Sequence, residues 1–223
     1  LYILGEIWHT SQPWLQGDEF HAVMNYPLSE SIKDYFLRQR KKTEQFISEI
    51  NSQSMYYKQQ ISEVMFNLLD SHDTERILTT AKGNMQHVKA ALAFLYLQKG
   101  TPCIYYGTEL ALKGGPDPDC RRVMPWDRVS EDNDMLNFMK QLIKIRKEIS
   151  SIIQYGTYKL EEVKPDVLAL KWNYEGKEVQ AIFNQSSENF VLDRDSVDLA
   201  SHCQLEDGHQ VILPDGFVVT VSE

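Results

Sequence analysis

The strongest constraint in this sequence is a pattern repeated over its first 150 residues, where short apolar runs alternate with stretches of helical character. The four runs are Leu1–Leu4, Ala22–Tyr26, Phe66–Leu69 and Pro102–Tyr106. Runs that are apolar throughout predict strands covered on both faces, as in a parallel sheet. A repeated β-then-α order predicts right-handed βαβ units. Four such units make half of a (β/α)8 barrel, which usually needs about 250 residues.

Helices are predicted between and after the four runs. Their spans are Ile32–Arg40, Thr43–Ile50, Met85–Lys99 and Met135–Ile149. Asn84 is placed to cap the third helix, and Pro27 is interpreted as the end of the second strand. In the last helix, Leu136, Met139 and Ile143 share one face and are predicted to pack inward.

The pattern changes after Ser151, where apolar and other residues alternate as in antiparallel strands. Leu168–Tyr174 is the clearest case. A Pro214-Asp215-Gly216 turn is predicted to join Val211–Leu213 to Phe217–Val221 as a hairpin. We therefore expect two domains, an α/β domain over residues 1–150 and a small antiparallel β-sandwich over residues 151–223.

The acidic balance of the chain argues against several kinds of partner. Lys and Arg number 23 and Asp and Glu number 32, which gives a formal charge of −9. Such a chain is a poor candidate for binding nucleic acid or an anionic membrane surface. No apolar run approaches the ~20 residues needed to span a bilayer. Three cysteines (Cys103, Cys120 and Cys203) without metal-ligand spacing argue against a disulfide framework, so we expect a reducing, cytoplasmic environment.

The first apolar run begins at Leu1, without the lead-in that a domain usually has. We expect the chain to be the C-terminal part of a longer protein, and a signal peptide further upstream stays open. Four parallel strands cannot close a barrel, so the first and last strands would be free edges. Homo-oligomerisation that covers these edges is therefore predicted.

Polar residues follow each predicted strand. They are Glu6, then Asn25, then Asp70, His72 and Asp73, and finally Glu109. In barrels and open α/β sheets, chemistry collects at this edge. Glu6 and Asp73 could form the carboxylate pair that general acid–base catalysis or glycoside cleavage requires. The flat faces of Trp8 and Trp14 suit a sugar ring.

Each of these residues also has a plainer explanation when taken alone. A Glu after a strand is more often a helix cap or an ion-pair partner, and a Trp more often belongs to the core. His9, His72 and Asp73 lack the HxxxH type of spacing, so a metal site is disfavoured.

Several long blocks, in order, change this balance. They are Gly5–His9, Trp14–Asp18, Val23–Pro27, Leu69–Arg76, and Gly100–Gly107 with Asp117–Arg122. These blocks resemble the later signature regions of the α-amylase family of glycoside hydrolases (family 13). The Glu-Ile-Trp-His and Asp-Pro-Asp-Cys-Arg runs look most like its neopullulanase, cyclomaltodextrinase and maltogenic amylase branch. The resemblance implies that residues 1–150 are the C-terminal half (strands 5–8) of a (β/α)8 TIM barrel.

The resemblance also implies roles for individual residues. Glu6 matches the general acid/base, Asp73 the carboxylate that stabilises the transition state, His72 its assistant at the same subsite, Trp8 the leaving-group side, and Asp117 and Arg121 the contacts to the glucose on the non-reducing side. The matching nucleophile, an Asp beside an Arg, would lie before Leu1. No cofactor or metal is implied for these residues, although calcium in the preceding half of the barrel stays open. Thr108 and His21 stand where most family members have Asp, so local loop contacts are expected to differ.

The expected function is retaining hydrolysis of α-1,4-glucosidic bonds in an α-glucan oligosaccharide such as a maltodextrin, a cyclodextrin or pullulan. Without its nucleophile, the chain alone is expected to be inactive. Three alternatives stay open at this point. They are a non-catalytic or transporter-associated relative, an enzyme acting on α-1,6 bonds or transferring glucosyl groups, and a carbohydrate-binding β domain on an inert scaffold.

Overall fold

Four short parallel strands form the centre of the first part of the chain in the computed structural model, which describes residues 1–222. The strands are β1 (Leu4–Gly5), β2 (Ala22–Val23), β3 (Phe66–Asn67) and β4 (Thr101–Pro102). β1 pairs with β2 and β3 pairs with β4, both in parallel. A single parallel bridge between Met24 and Phe66 joins the two pairs, so the spatial order follows the chain. The predicted parallel arrangement is confirmed, although each ladder is only two residues long.

The approach to β1 differs from the prediction of strands covered on both faces. Tyr2, Ile3 and Leu4 are 51%, 39% and 36% exposed, whereas Ala22 and Val23 of β2 are buried. The apolar pattern thus locates the strand correctly, but it does not reveal that β1 has a neighbour on one side only among residues 1–222. The predicted association through this edge stays a prediction.

Helices surround the parallel strands and lead into the second part of the chain. The α-helices are α1 (Tyr26–Ile32), α2 (Thr43–Ser54), α3 (Gln59–Ser62), α4 (Ile77–Thr80), α5 (Met85–Tyr96), α6 (Asp134–Glu148) and α7 (Ser150–Tyr155). A π-helical turn (Lys33–Leu37) extends α1, and short 3-10 turns occupy Gln12–Trp14, Thr108–Leu110, Asp119–Arg121 and Trp126–Arg128. None of the helices within residues 1–222 combines the length and the apolarity needed to cross a bilayer.

Two helix predictions need correction, and one is confirmed. The helix predicted over Ile32–Arg40 begins earlier, as α1 at Tyr26, and Pro27 lies in its first turn, where the missing N–H of proline is tolerated, instead of ending a strand. Ile143 is 40% exposed, because α6 packs inward through its other apolar residues, including Phe138. Asn84 caps α5 as predicted, since its Oδ1 accepts hydrogen bonds from the backbone N–H groups of Gln86 (2.9 Å) and His87 (3.3 Å).

A six-stranded antiparallel sheet follows α7. Its strands are β5 (Thr157–Lys164), β6 (Val167–Tyr174), β7 (Lys177–Asn184), β8 (Phe190–Leu192), β9 (Leu199–Glu206) and β10 (His209–Ser222). The order is β5-β6-β7-β10-β8, and β9 also pairs with β10. The antiparallel prediction is confirmed, but the strands form one connected sheet rather than the two sheets of a sandwich. One face of this sheet carries a small apolar cluster that includes Val167, Ile182 and Ile212, and the alternate residues on its other face join the main core.

The hairpin predicted at Pro214-Asp215-Gly216 is wrong. These residues form a bulge inside β10, and β9 runs beside both halves of that strand with a register shift between Ile212 and Phe217. A side chain at position 216 would collide with the backbone oxygens of His202 and Leu213, so the bulge requires glycine. The turn signal is therefore real, but it bends one strand instead of connecting two.

One hydrophobic core spans both parts of the chain. The buried ring of Phe183 on β7 lies 5.3 Å from that of Phe36 and 5.9 Å from that of Phe94 on α5, centroid to centroid. The buried Trp172 on β6 also donates a hydrogen bond from Nε1 to the Leu97 carbonyl oxygen (2.9 Å). The helices behind the parallel strands are thus anchored on the second sheet.

Candidate active site

The carboxyl ends of the four parallel strands bring the candidate residues to one edge, where loops carry the side chains. Glu6 directly follows β1, and Asn25 closes β2, where its Nδ2 donates to Asn67 Oδ1 (2.9 Å). Asp70 to Asp73 follow β3, and the long connection after β4 returns to them through Arg121. Sequence separation is therefore no barrier to contact among these residues.

Four predicted residues meet in an ion-paired cluster at this edge. Arg121 Nη2 lies 3.1 Å from Asp73 Oδ1, and Arg121 Nε lies 2.7 Å from Asp117 Oδ1. His72 Nε2 lies 3.0 Å from Asp73 Oδ2, and the His72 carbonyl oxygen accepts a hydrogen bond from Arg121 Nε (2.9 Å). All four side chains remain partly exposed, so the cluster adds little to stability but fixes two carboxylates in one orientation.

Tyr26 links this cluster to the residues after β1. Its ring stacks on that of Trp8 with a centroid distance of 3.8 Å and an interplanar angle of 7°, and Trp8 keeps half of its surface exposed. Burial raises the pKa of the Tyr26 phenol, and the negative charges of Glu6 and Asp73 raise it further. Both carboxylates thus lie close enough to raise the pKa of the Tyr26 phenol, and Trp8 stacks on its ring.

Tyr26 is the residue that sequence reasoning missed as part of the site. Its side chain is 2% exposed. The available signal was its place in the Val23–Pro27 block, directly after β2. The apolar pattern assigns this aromatic residue to the end of a strand, whereas in the structure its ring stacks on that of Trp8.

A buried Arg–carboxylate layer holds the loops beneath the cluster. The Arg76 side chain is fully buried, with Nε donating to the Cys120 carbonyl oxygen (2.7 Å) and Nη1 to that of Tyr106 (2.5 Å). Its guanidinium carbon lies 3.9 Å from the centroid of the Tyr105 ring. Arg76 therefore fixes the loop that carries Asp117 and Arg121.

Asp70 belongs to this buried layer and not to the exposed edge. Its carboxylate accepts hydrogen bonds from Thr108 Oγ1 (2.9 and 3.1 Å to the two oxygens) and from the Ile77 backbone N–H (3.2 Å). Burial raises the pKa of this carboxyl group. An Asp at position 108 would place a second carboxylate against Asp70, whereas the Thr108 hydroxyl donates to it.

The remaining candidates are not brought into the cluster. Trp14 lies in a short turn beside His9, with 5.6 Å between their ring centroids. His21 Nδ1 accepts a hydrogen bond from the Ile3 backbone N–H (3.0 Å), which is the local loop contact made by this departure from the family pattern. Glu109 Oε2 is buried and makes no hydrogen bond within residues 1–222. In that same range, no three His, Cys, Asp or Glu side chains are grouped as metal ligands.

The arrangement offers an exposed carboxyl group on Glu6, a carboxylate on Asp73 held by a cation, and an aromatic face on Trp8. The sequence model of the family described as alpha amylase, catalytic domain, matches residues 1–190 of this chain. The chain belongs to the α-amylase family. Within the family it falls in the branch of maltogenic amylases, cyclomaltodextrinases and neopullulanases.

Curated family members and a solved structure show how far the likeness extends. The chain is 44% identical over 189 residues to an intracellular maltogenic amylase of Bacillus subtilis, which covers 84% of this chain and 32% of the relative. It is 48% identical over 158 residues to a cyclomaltodextrinase of a Bacillus species, covering 71% and 28%. A cyclic alpha-maltosyl-(1→6)-maltose hydrolase from Arthrobacter globiformis, solved in complex with maltose, superposes with a TM-score of 0.84 at 27% identity, covering 100% of this chain and 49% of that one. The chain spans about a third of the length of these curated relatives.

Proposed function

We propose that this chain is the C-terminal half (strands 5–8) of the (β/α)8 catalytic barrel of a retaining α-glucan hydrolase, together with its C-terminal β domain. The barrel half corresponds to residues 1–150 and the β domain to residues 151–223. The substrate class is α-1,4-linked glucan, such as a maltodextrin, a cyclodextrin or pullulan. The observation that carries the proposal is the meeting of His72, Asp73, Asp117 and Arg121 in one ion-paired cluster, at the strand edge where Glu6 follows β1.

The charges at the site suit the chemistry of glycoside cleavage. The transition state resembles an oxocarbenium ion, and a fixed negative charge on Asp73 stabilises the positive charge that develops at the anomeric carbon. Arg121 orients Asp73 and Asp117, and the remaining lone pairs of their oxygens can accept hydrogen bonds from sugar hydroxyls. His72 acts at the same subsite, beside Asp73.

Glu6 is the proposed general acid and base. Its side chain is exposed at the end of β1, where it can protonate a leaving oxygen and later activate a water molecule. Trp8 offers the exposed half of its ring to the sugar on the leaving-group side. A retaining enzyme also needs a nucleophilic carboxylate about 5 Å from the acid, and we place it in the barrel half that precedes Leu1. A cytoplasmic location belongs to the same proposal, and the similarity to an intracellular relative supports it.

The role of Glu6 can be tested by measuring turnover in the longer protein that contains this chain. Glu6→Gln is expected to lower maltotriose hydrolysis about 10²–10⁴-fold with unchanged thermal unfolding, because the amide keeps the shape and loses the proton. Glu19→Gln is the matched control, since Glu19 is an exposed acid in the connection between β1 and β2. Near-normal turnover of Glu6→Gln would remove Glu6 from the mechanism. The 223-residue chain alone is expected to release no reducing sugar, and measurable release would refute the placement of the nucleophile.

A further inference from the structure

A cavity of about 420 Å³ lies away from the candidate active site, between the helices and the second sheet. Its wall comes from α1, α2 and α3, from the residues just before β3 and β4, and from β5 and β6. Met65 and Lys99 approach the amino ends of their strands, whereas the active-site residues follow the carboxyl ends. Most of the lining therefore lies toward the amino ends of the strands, and Asn25, which follows β2, belongs both to the lining and to the active-site edge.

Side-chain amides dominate the polar part of this wall. Asn25, Asn51, Gln53, Gln59 and Gln98 all line it. No Asp or Glu belongs to the lining that the structure describes, although the chain as a whole carries a formal charge of −9. The one charged lining residue is Lys99, whose Nζ lies 5.8 Å from the centroid of the Trp172 ring. The wall thus combines neutral donors and acceptors with little net charge.

Hydrogen bonds hold the deeper part of the wall in place. The Tyr158 hydroxyl donates to Gln98 Oε1 (3.0 Å), which ties β5 to the end of α5. Gln53 Nε2 donates to Ser31 Oγ (2.9 Å), whereas Gln53 Oε1 is buried and accepts no hydrogen bond from residues 1–222. These internal hydrogen bonds fix Gln53 and Gln98 in the wall.

Aromatic residues at the mouth complete the surface. Tyr56 is 42% exposed, and its ring lies 6.5 Å from that of Tyr57, centroid to centroid. The volume falls within the ~300–1,000 Å³ usual for small-molecule sites, and such sites favour boundaries between structural units. A ligand here would meet amides on one side and aromatic edges on the other.

We propose that this cavity binds a short neutral α-glucan segment at a site separate from the catalytic cleft. A sugar has hydroxyls that both donate and accept, which matches amide groups, and an apolar ring face, which matches tyrosine. An apolar ligand would desolvate polar groups of the wall such as the exposed Asn51 amide, and an anion would find a single cation. The choice of an α-glucan among neutral sugars rests on the proposed function.

Calorimetric titration of the 223-residue chain with maltotriose tests this proposal, with cellotriose as the stereochemical control. Tyr56→Ala and Asn51→Ala are each expected to weaken maltotriose binding about tenfold, because each removes one contact from the mouth or wall. Both side chains are exposed, so either variant keeps the test valid if the other fails to fold. Met55→Ala is the matched control, since Met55 is 84% exposed beside Tyr56 and does not line the cavity.

The cleft variant Arg121→Ala separates this proposal from the proposed function. Cavity binding is expected to survive Arg121→Ala and to be lost in Tyr56→Ala. Binding that disappears only with Arg121→Ala would overturn the cavity site and leave the proposed function standing. Absence of maltotriose binding, or equal binding of cellotriose, would also overturn it. Cavity binding in a longer polypeptide that fails to hydrolyse maltotriose would contradict the proposed function alone.

Discussion

The parallel strands and the antiparallel sheet use opposite means to hold their residues. Each parallel strand contributes two ladder residues, whereas β5, β6, β7 and β9 have eight each and β10 has fourteen. The loops after the parallel strands are held instead by side chains such as Arg76 and Asp70, which bind backbone groups and a hydroxyl. The candidate catalytic residues thus lie in loops beyond the ends of the backbone ladders. We expect mutations in these loops to change the geometry of the site, and mutations in the antiparallel sheet to change stability.

The largest effect on stability is expected for a buried ring in the antiparallel sheet. Phe183→Ala should lower the free energy of unfolding by about 3–5 kcal/mol, because the ring is fully buried against Phe36, Phe94 and Phe217. Urea denaturation measures this change. Val191→Ala on β8 is the control, since Val191 is 57% exposed and should change stability by no more than about 0.5 kcal/mol. Similar values for both variants would contradict the anchoring role of the sheet.

A smaller effect is expected in the buried layer beneath the active site. Thr108→Val keeps the side-chain shape but leaves the buried Asp70 carboxylate without its hydroxyl donor, so it should reduce stability by about 1–3 kcal/mol. Thr108→Ser retains the hydroxyl and should fall closer to the wild type in the same denaturation experiment. If the Val variant were as stable as the Ser variant, the Asp70 contact would not matter to the loop.

A substitution at Trp8 is expected to change function more than stability. Trp8→Ala removes one stacked ring from Tyr26 and should reduce stability by about 1 kcal/mol. In the longest polypeptide carrying this chain, it should also change the ratio of maltodextrin products and weaken binding on the acceptor side. Trp126→Ala is the control, since Trp126 is 72% exposed on the loop after β4. Unfolding with unchanged product ratios would assign Trp8 to the core.

The smallest expected effect on stability depends on pH and concerns the contact between Asp215 on β10 and His87 on α5. The hydrogen bond to His87 Nε2, 3.1 Å away on α5, holds the pKa of Asp215 below its ordinary value of about 4. The carboxylate therefore stabilises the fold fully above that value, and its contribution is lost as the pH falls through the lower pKa of the folded state. Because Asp215 is partly exposed, the loss should be less than about 1 kcal/mol.

The contribution of this contact can be measured as the free energy of unfolding at a series of pH values from 7 to 2. Asp215→Asn should be less stable than the wild type at pH 7, and the difference should vanish in acid. Asp193→Asn is the control, because Asp193 is 96% exposed and also pairs with a histidine. A difference between Asp215→Asn and the wild type that stayed constant with pH would show that the contact does not depend on charge.

The parallel strands and their order, the residues at their ends, the antiparallel character of the tail and the family could all be predicted from the sequence. These features follow from local apolar patterns and from long motif blocks, which need no knowledge of neighbours. Their limits are equally local. The sequence predicts a strand end at Pro27, which in fact lies in the first turn of a helix, because proline after a strand and proline in a first turn look the same in the sequence.

Tertiary structure decided whatever depended on a distant partner. The Pro214-Asp215-Gly216 signal bends β10 rather than closing a hairpin, because β9 pairs with both halves of that strand. Asp70 is buried under Thr108, whereas Asp73, three residues on, reaches Arg121, and nothing in their spacing distinguishes the two. Tyr26 supports Trp8 because β1 and β2 end side by side. Each outcome depends on residues that are distant in the sequence and adjacent in the fold. Hydrogen bonding and burial are decided by those neighbours, which the local sequence does not specify.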